Sequence, residues 1–225
     1  MTETSAPPQP EREHRSLTAA AEKRLLVWLA ERMPSSVSPD HLTLLGLLGN
    51  ALAGAGYALA GRNPAWLHVV NLALVVNWFG DSLDGTLARV RKRLRPRYGF
   101  YVDHLVDAFG ALFLLVGLAF SGLASERIAL ALLVVYFLFS INMYLATVAL
   151  GVFKISYGLF GGTELRILLA IVNLLVLAWP RVVLFGRSFL LFDLLAGAGA
   201  VGLAMVTLRS AAQVTKRLYE AERLR

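Results

Sequence analysis

Four aspartates stand in two short, regular patterns: Asp81 and Asp84 in Gly80-Asp81-Ser82-Leu83-Asp84-Gly85-Thr86-Leu87-Ala88-Arg89, and Asp103 and Asp107 in Gly99-Phe100-Tyr101-Val102-Asp103-His104-Leu105-Val106-Asp107. On an α-helix the spacings i, i+3 and i, i+4 put each pair on one face. Four carboxylates gathered in one place repel, and the physical remedies are protons or cations. The chain has no cysteine, so a metal here would take oxygen or nitrogen ligands. An all-oxygen set suits Mg²⁺, Mn²⁺ or Ca²⁺, with Mg²⁺ the usual companion of phosphate substrates. Gly85 and Gly99 leave room beside the helices for a substrate, and Arg89 adds a fixed cation suited to phosphate oxygens.

The segments that carry these residues are strongly apolar. Hydrophobic residues make up 57% of the 225 and charged ones 16%, against about 25% charged in a soluble domain. Six apolar stretches follow one another at about 41–61, 66–88, 100–122, 128–151, 165–179 and 189–208, each near the ~20 residues that span hydrocarbon, the fifth being the shortest. The expected fold is therefore all-α: a polytopic membrane bundle of six transmembrane helices. An aspartate facing lipid costs roughly 2.5–3.5 kcal/mol on insertion scales, so the four must face water, metal or one another. Ahead of the bundle, 17–33 alternates Leu25, Leu26, Trp28, Leu29 and Met33 with charged residues at helical spacing, the pattern of an amphipathic interfacial helix. Residues 1–16, with Pro7, Pro8 and Pro10, read as a disordered tail without a signal peptide. The membrane domain occupies 17–209, and 210–225 reads as an amphipathic cytoplasmic tail helix.

Basic residues orient the bundle. Only Arg62, Arg127, Arg181 and Arg187 fall on one side; the other eighteen of the 22 Lys and Arg lie in the termini and in the loops after the second and fourth spans, six of them within 89–97. The positive-inside rule then puts both termini and the aspartates in the cytoplasm. The same placement explains the net charge of +7 without nucleic acid, since the charges flank apolar runs instead of forming a stripe on a soluble fold. Glycines crowd the first span (Gly46, Gly49, Gly54, Gly56) and the sixth (Gly197, Gly199, Gly202), where small residues let helices approach closely.

The pattern D-x-x-D-G-x-x-A-R followed by G-x-x-x-D-x-x-x-D, matched at Asp81, Asp84, Gly85, Ala88, Arg89, Gly99, Asp103 and Asp107, resembles the signature of the CDP-alcohol phosphatidyltransferase family. Ser38-Pro39-Asp40-His41-Leu42-Thr43 is similar to the family's Pro-Asn-x-x-Thr motif at the start of its first span, with Asp40 in place of Asn. The gap of nine residues between Arg89 and Gly99 is longer than the seven or eight more usual there. The resemblance implies a membrane enzyme of phospholipid synthesis in the bacterial cell membrane, commonly a homodimer. It would move a substituted phosphate from a CDP-alcohol, CDP-diacylglycerol favoured, to an acceptor alcohol with release of CMP. By the same resemblance Asp81, Asp84, Asp103 and Asp107 hold Mg²⁺ or Mn²⁺ and Asp107 is the base on the acceptor hydroxyl. Asp84, Gly85, Ala88, Arg89 and Gly99 would line the CDP pocket.

Outside the signature, Glu164 and Arg166 open the fifth span on the cytoplasmic side. They either reach the acceptor or belong to an ordinary helix start, with Thr163 as cap and a snorkelling Arg. Asn77 and Asn142 suit interhelical hydrogen bonds, Asp193 a structural one, His104 a local one, and Trp66 and Trp179 interfacial anchoring. Two other readings compete. One is a CDP-choline or CDP-ethanolamine enzyme acting on diacylglycerol. The other is an ion-coupled transporter, although such sites usually lie near the midplane between inverted repeats, and these acids gather at one end.

Overall fold

A computed structural model describes residues 19–150 and 161–222; the expected disordered tail, Leu17, Thr18 and most of the loop after the fourth span lie outside them. Seven helices run through the described residues: α1 (Ala19–Arg32), α2 (Pro39–Ala60), α3 (Trp66–Val90), α4 (Pro96–Phe120), α5 (Glu126–Leu150), α6 (Gly162–Ala178) and α7 (Leu191–Ala221). Four of them, α2, α4, α5 and α7, are long and apolar enough to cross a membrane. The all-α expectation holds, and the chain is a multi-pass membrane protein. The two remaining expected spans differ from these four for separate reasons. α3 is long enough, about 38 Å at 1.5 Å per residue, but carries Asn71, Asn77, Asp81, Asp84 and Arg89. It tolerates them because α1, α2 and α6 pack around it and bury Leu67, Val70, Leu74, Leu83 and Leu87. α6 has 17 residues, about 26 Å of helix, slightly less than a ~30 Å hydrocarbon layer.

The core forms where α2 meets its neighbours. Gly49 and Gly80 let α2 and α3 touch backbone to backbone: a Cβ on Gly49 would lie 2.7 Å from the Asn77 amide nitrogen, and one on Gly80 2.5 Å from the Leu42 carbonyl. Gly54 and Gly117 do the same for α2 and α4. Around these contacts Ala53, Tyr57, Leu67, Val70 and Leu118 are buried. A polar chain crosses the same layer, in which the Tyr57 hydroxyl donates to Asn173 (2.9 Å) and the Asn173 amide donates to Asn71 (2.6 Å). Close packing by the glycines of the first span is therefore as expected. Those of the sixth are different, since a Cβ on Gly197, Gly199 or Gly202 would meet nothing within 4 Å. α7 packs mainly on α5, and among the described residues no second helix lies against that glycine face.

Further corrections follow from the ends of the elements. The expected tail helix is continuous with the last span in α7, whose 31 residues extend about 46 Å. Before it lies an unforeseen antiparallel hairpin, β1 (Arg181–Leu184) and β2 (Arg187–Leu190), so the last helix starts at Leu191. The two turn residues, Phe185 and Gly186, both have positive φ, which a two-residue hairpin turn of the primed type requires. At that end Asp193 accepts from the Ser125 amide (2.6 Å) and hydroxyl (2.5 Å), tying α7 to the α4–α5 turn and fulfilling its structural role. Asn142 likewise reaches Ser210 on α7 (3.0 Å). Trp179 is exposed at the end of α6, and Trp66, partly buried at the start of α3, packs against the core. The interfacial helix is present as α1, but it docks on the bundle, burying Leu26 and Ala30 with Leu83 and Leu87 of α3.

Candidate active site

The site is assembled at the opposite end from the hairpin, where α2 begins, α3 ends and α4 begins. Ser38 caps α2: its hydroxyl accepts the His41 amide and its own amide donates to His41 Nδ1, both at 3.2 Å. Pro39 follows at the first helical position, where a missing N–H costs nothing. One turn on, the Thr43 hydroxyl donates to Asp84 Oδ2 at 2.6 Å, and the Gly85 amide donates to the other Asp84 oxygen. The Ser38–Thr43 motif thus reaches the aspartates. The basic loop is fastened to the same region. Arg91 donates to the carbonyls of Met33 (3.0 Å), Pro34 (2.8 Å) and Val37, and Arg95 pairs with Asp40. The Asp that replaces the family's usual Asn therefore has a cationic partner in the lengthened loop.

Arg166 turns inward. Its Nη2 donates to Asp81 Oδ2 and its Nε to Asn77 Oδ1, each at 2.6 Å, and the Asn77 amide donates to the Gly46 carbonyl at 2.9 Å. One relay therefore runs from α6 through α3 to α2, with Asn77 in its expected interhelical role. Glu164 sits differently, accepting the Gly161 amide at 2.9 Å as a reach-back cap. Thr163 is not that cap: its hydroxyl donates to Glu22 on α1 (2.6 Å), which also accepts from Trp78 Nε1 (2.8 Å).

The two aspartate pairs come together at this end of the bundle, although α3 and α4 both pack on α2 far more than on each other. Asp84 lies within electrostatic reach of Asp81 and Asp103. Tyr136 and Tyr144 of α5 lie within reach of Asp107, and the Tyr144 hydroxyl donates to the His104 carbonyl at 3.3 Å. His104 Nδ1 sits 2.7 Å from the Phe100 carbonyl, the expected local contact. A Cβ on Gly85 or Gly99 would meet nothing within 4 Å, so the backbone there is open. Ala88 is half-buried, Asp107 and Arg89 are exposed, and Arg89 Nη2 donates to the Thr86 hydroxyl at 3.0 Å.

Among the described residues no three acidic or imidazole side chains converge into a preformed metal cage. Asp81 is engaged by Arg166 and Asp84 by Thr43 and Gly85. The donor set nonetheless fits a hard divalent cation: four carboxylates gather at one end of the bundle, and the cationic Arg166 already rests on one of them. Thr43, Asn77, Tyr136 and Tyr144 also belong to this neighbourhood without having been singled out as site residues. Only Thr43 carried a sequence signal, the motif in which it stands.

Known proteins agree with this arrangement. The family model for CDP-alcohol phosphatidyltransferase matches residues 36–208. An uncharacterized protein of Aquifex aeolicus is 29% identical over 197 residues, covering 84% of each chain. Shorter matches reach archaetidylinositol phosphate synthase of Pyrococcus horikoshii (31% over 87 residues, 39% of this chain and 43% of that one) and cholinephosphotransferase 1 of Gallus gallus (30% over 96 residues, 40% and 28%). With most of the chain matched and the signature aspartates gathered at one end of the bundle, the transporter reading falls away. This chain belongs to the CDP-alcohol phosphatidyltransferase family and is a membrane transferase of phospholipid synthesis acting on CDP-alcohols.

Proposed function

We propose that this enzyme takes CDP-diacylglycerol as donor and transfers its phosphatidyl group to a polar, anionic alcohol, releasing CMP. The observation that carries the choice of substrates is Arg166. An inward guanidinium 2.6 Å from Asp81 places a phosphate-binding group beside the acids, which suits a phosphorylated acceptor and leaves the lipid on the donor. Exposed Leu105 and Phe109 on α4 flank Asp107 and give a lipid-bearing substrate a lateral apolar wall.

In this reading Gly85, Ala88, Arg89 and Gly99 take the CDP portion, with backbone left open where a nucleotide has to approach closely. Asp81, Asp84, Asp103 and Asp107 would hold Mg²⁺ or Mn²⁺, which supplies charge neutralisation at the diphosphate and a better leaving group. Asp107, the most open of the four, accepts the proton of the acceptor hydroxyl. That oxygen bonds to the phosphorus bearing the diacylglycerol, and the bond from this phosphorus to the CMP oxygen breaks. Arg166 and Glu164 orient the acceptor, while Thr43 and Asn77 hold Asp84 and Arg166 in place. The six helices from α2 to α7 all cross the membrane, both termini and the aspartates face the cytoplasm of a bacterial cell, and the protein works as a homodimer.

A second reading, a CDP-choline or CDP-ethanolamine donor with diacylglycerol as acceptor, is favoured by the match to cholinephosphotransferase 1. CMP release by the purified protein, with each donor and a panel of acceptors, separates the two. Metal-dependent release from CDP-diacylglycerol, stimulated by a phosphorylated alcohol and abolished by Asp107→Asn, is the expected result. Release from CDP-choline alone, stimulated by diacylglycerol, would replace this reading with the second.

A further inference from the structure

The hairpin between α6 and α7 carries an apolar tip that nothing in the transfer reaction uses. Phe185 is 103% exposed, and Val183 (70%), Leu184 (40%) and Phe189 (38%) are exposed around it. The Phe185 φ of 51° is a conformation that bulky residues seldom adopt, and the position is one where Asn, Asp or Gly is the usual choice. A ring open to water on a strained backbone is thus unfavourable twice over, unless an apolar medium surrounds it. Arg181 and Arg187, both exposed, flank the strands.

Three observations identify the surrounding medium. First, the hairpin joins α6 to α7, and through Asp193 and Ser125 its base is held at the end of the bundle opposite the aspartates. Second, α6, at about 26 Å, is shorter than a ~30 Å hydrocarbon layer, so the chain leaves the helix before it clears the bilayer. Third, the two helices that the hairpin joins expose apolar side chains of their own, Ile171, Leu174 and Leu175 on α6 and Leu195 on α7. Arginines beside an apolar tip match the phosphate layer above acyl chains.

We infer that the β1–β2 hairpin is a membrane-inserted anchor: Phe185, Val183 and Leu184 enter the acyl boundary of the outer leaflet, Arg181 at the base opposite Leu190 meets lipid phosphates, and Arg187, opposite Leu184 beside the turn, reaches back up to them along its aliphatic stem. The inference rests on the six-span arrangement proposed above. The anchor fixes the outer ends of α6 and α7, and through α6 it steadies the helix whose other end presents Arg166 to Asp81.

The absence of native cysteine makes single-site labelling clean. Phe185→Cys, carrying an environment-sensitive dye in lipid nanodiscs, is compared with Glu220→Cys on the α7 tail. The expected result is severalfold weaker quenching by an aqueous quencher and severalfold stronger quenching by lipids with a shallow nitroxide. Equal aqueous quenching at the two sites overturns the anchor, and so does protection from both quenchers, which would indicate a second protein copy over the tip. Phe185→Asn gives a check independent of the dye. It relieves the backbone but removes the apolar tip, so its melting temperature in nanodiscs should fall, and a rise contradicts insertion. Ser188→Cys tests the underlying topology separately: labelling by an impermeant maleimide only after cells are opened refutes the six-span arrangement itself.

Discussion

Gly80→Ala is the sharpest test of how the fold holds the aspartates in place. The new methyl carbon would stand 2.5 Å from the Leu42 carbonyl oxygen, 2.8 Å from Gly46 Cα and closer still to the Gly46 amide. All three are helix backbone atoms, which cannot swing aside as a side-chain tip can. Restoring contacts of about 3.5 Å requires α2 and α3 to separate by roughly 1 Å at this level. The same movement acts on the Thr43–Asp84 hydrogen bond, which spans the two helices at 2.6 Å. It would open to about 3.5 Å, beyond useful hydrogen-bonding range. Overpacking of this kind costs about 1–3 kcal/mol. Activity should fall further than stability, because Asp84 loses its orienting partner next to the reacting groups; a misplacement of about 1 Å can cost of the order of 10²-fold. The control is Gly197→Ala on α7, where the added carbon meets nothing and better helix propensity contributes about 0.5–1 kcal/mol of stability. Thermal unfolding and CMP release are measured on both in the same lipid. If Gly80→Ala matches Gly197→Ala in both assays, the backbone contact between α2 and α3 does not position Asp84 and the reasoning fails.

Other perturbations follow the same logic. Thr43→Val should keep the fold and lower kcat/KM about fivefold, the worth of roughly 1 kcal/mol for one hydrogen bond; an unchanged value would remove Thr43 from the site. Asp84→Ala should weaken Mg²⁺- or Mn²⁺-dependent binding of CDP by calorimetry, and unchanged binding would discard its role as a metal ligand. Arg166→Gln should raise KM for a phosphorylated acceptor far more than KM for the CDP donor, whereas equal effects on both would argue for a purely structural ion pair. Asn173→Ala strips the Tyr57 hydroxyl and the Asn71 side chain of a shared partner and should cost about 1–2 kcal/mol. Melting in lipid measures it, and activity per folded molecule should be unaltered.

The sequence by itself determined what depends on local spacing and on the cost of charge in lipid. Asp81 with Asp84 and Asp103 with Asp107 could be paired because helical geometry converts i, i+3 and i, i+4 into one face, and apolar runs near bilayer length marked the helices. In α3 several polar residues have partners on other helices: Asn77 and Asp81 meet Arg166, and Asp84 meets Thr43. Tertiary structure decided which partner each of these groups has. Arg166 meets Asp81 across 85 positions of chain and Thr163 meets Glu22 across 141, separations that no spacing rule encodes. It also decided that glycines of the same density are contacts in α2 and open surface in α7, because a small residue brings helices together only where a second helix lies against it. The hairpin was hidden for a local reason: Phe185 occupies a turn position where sequence patterns expect Asn or Gly. What positions the aspartates is likewise tertiary, since α3 and α4 both pack on α2 and that shared contact brings their acidic ends together.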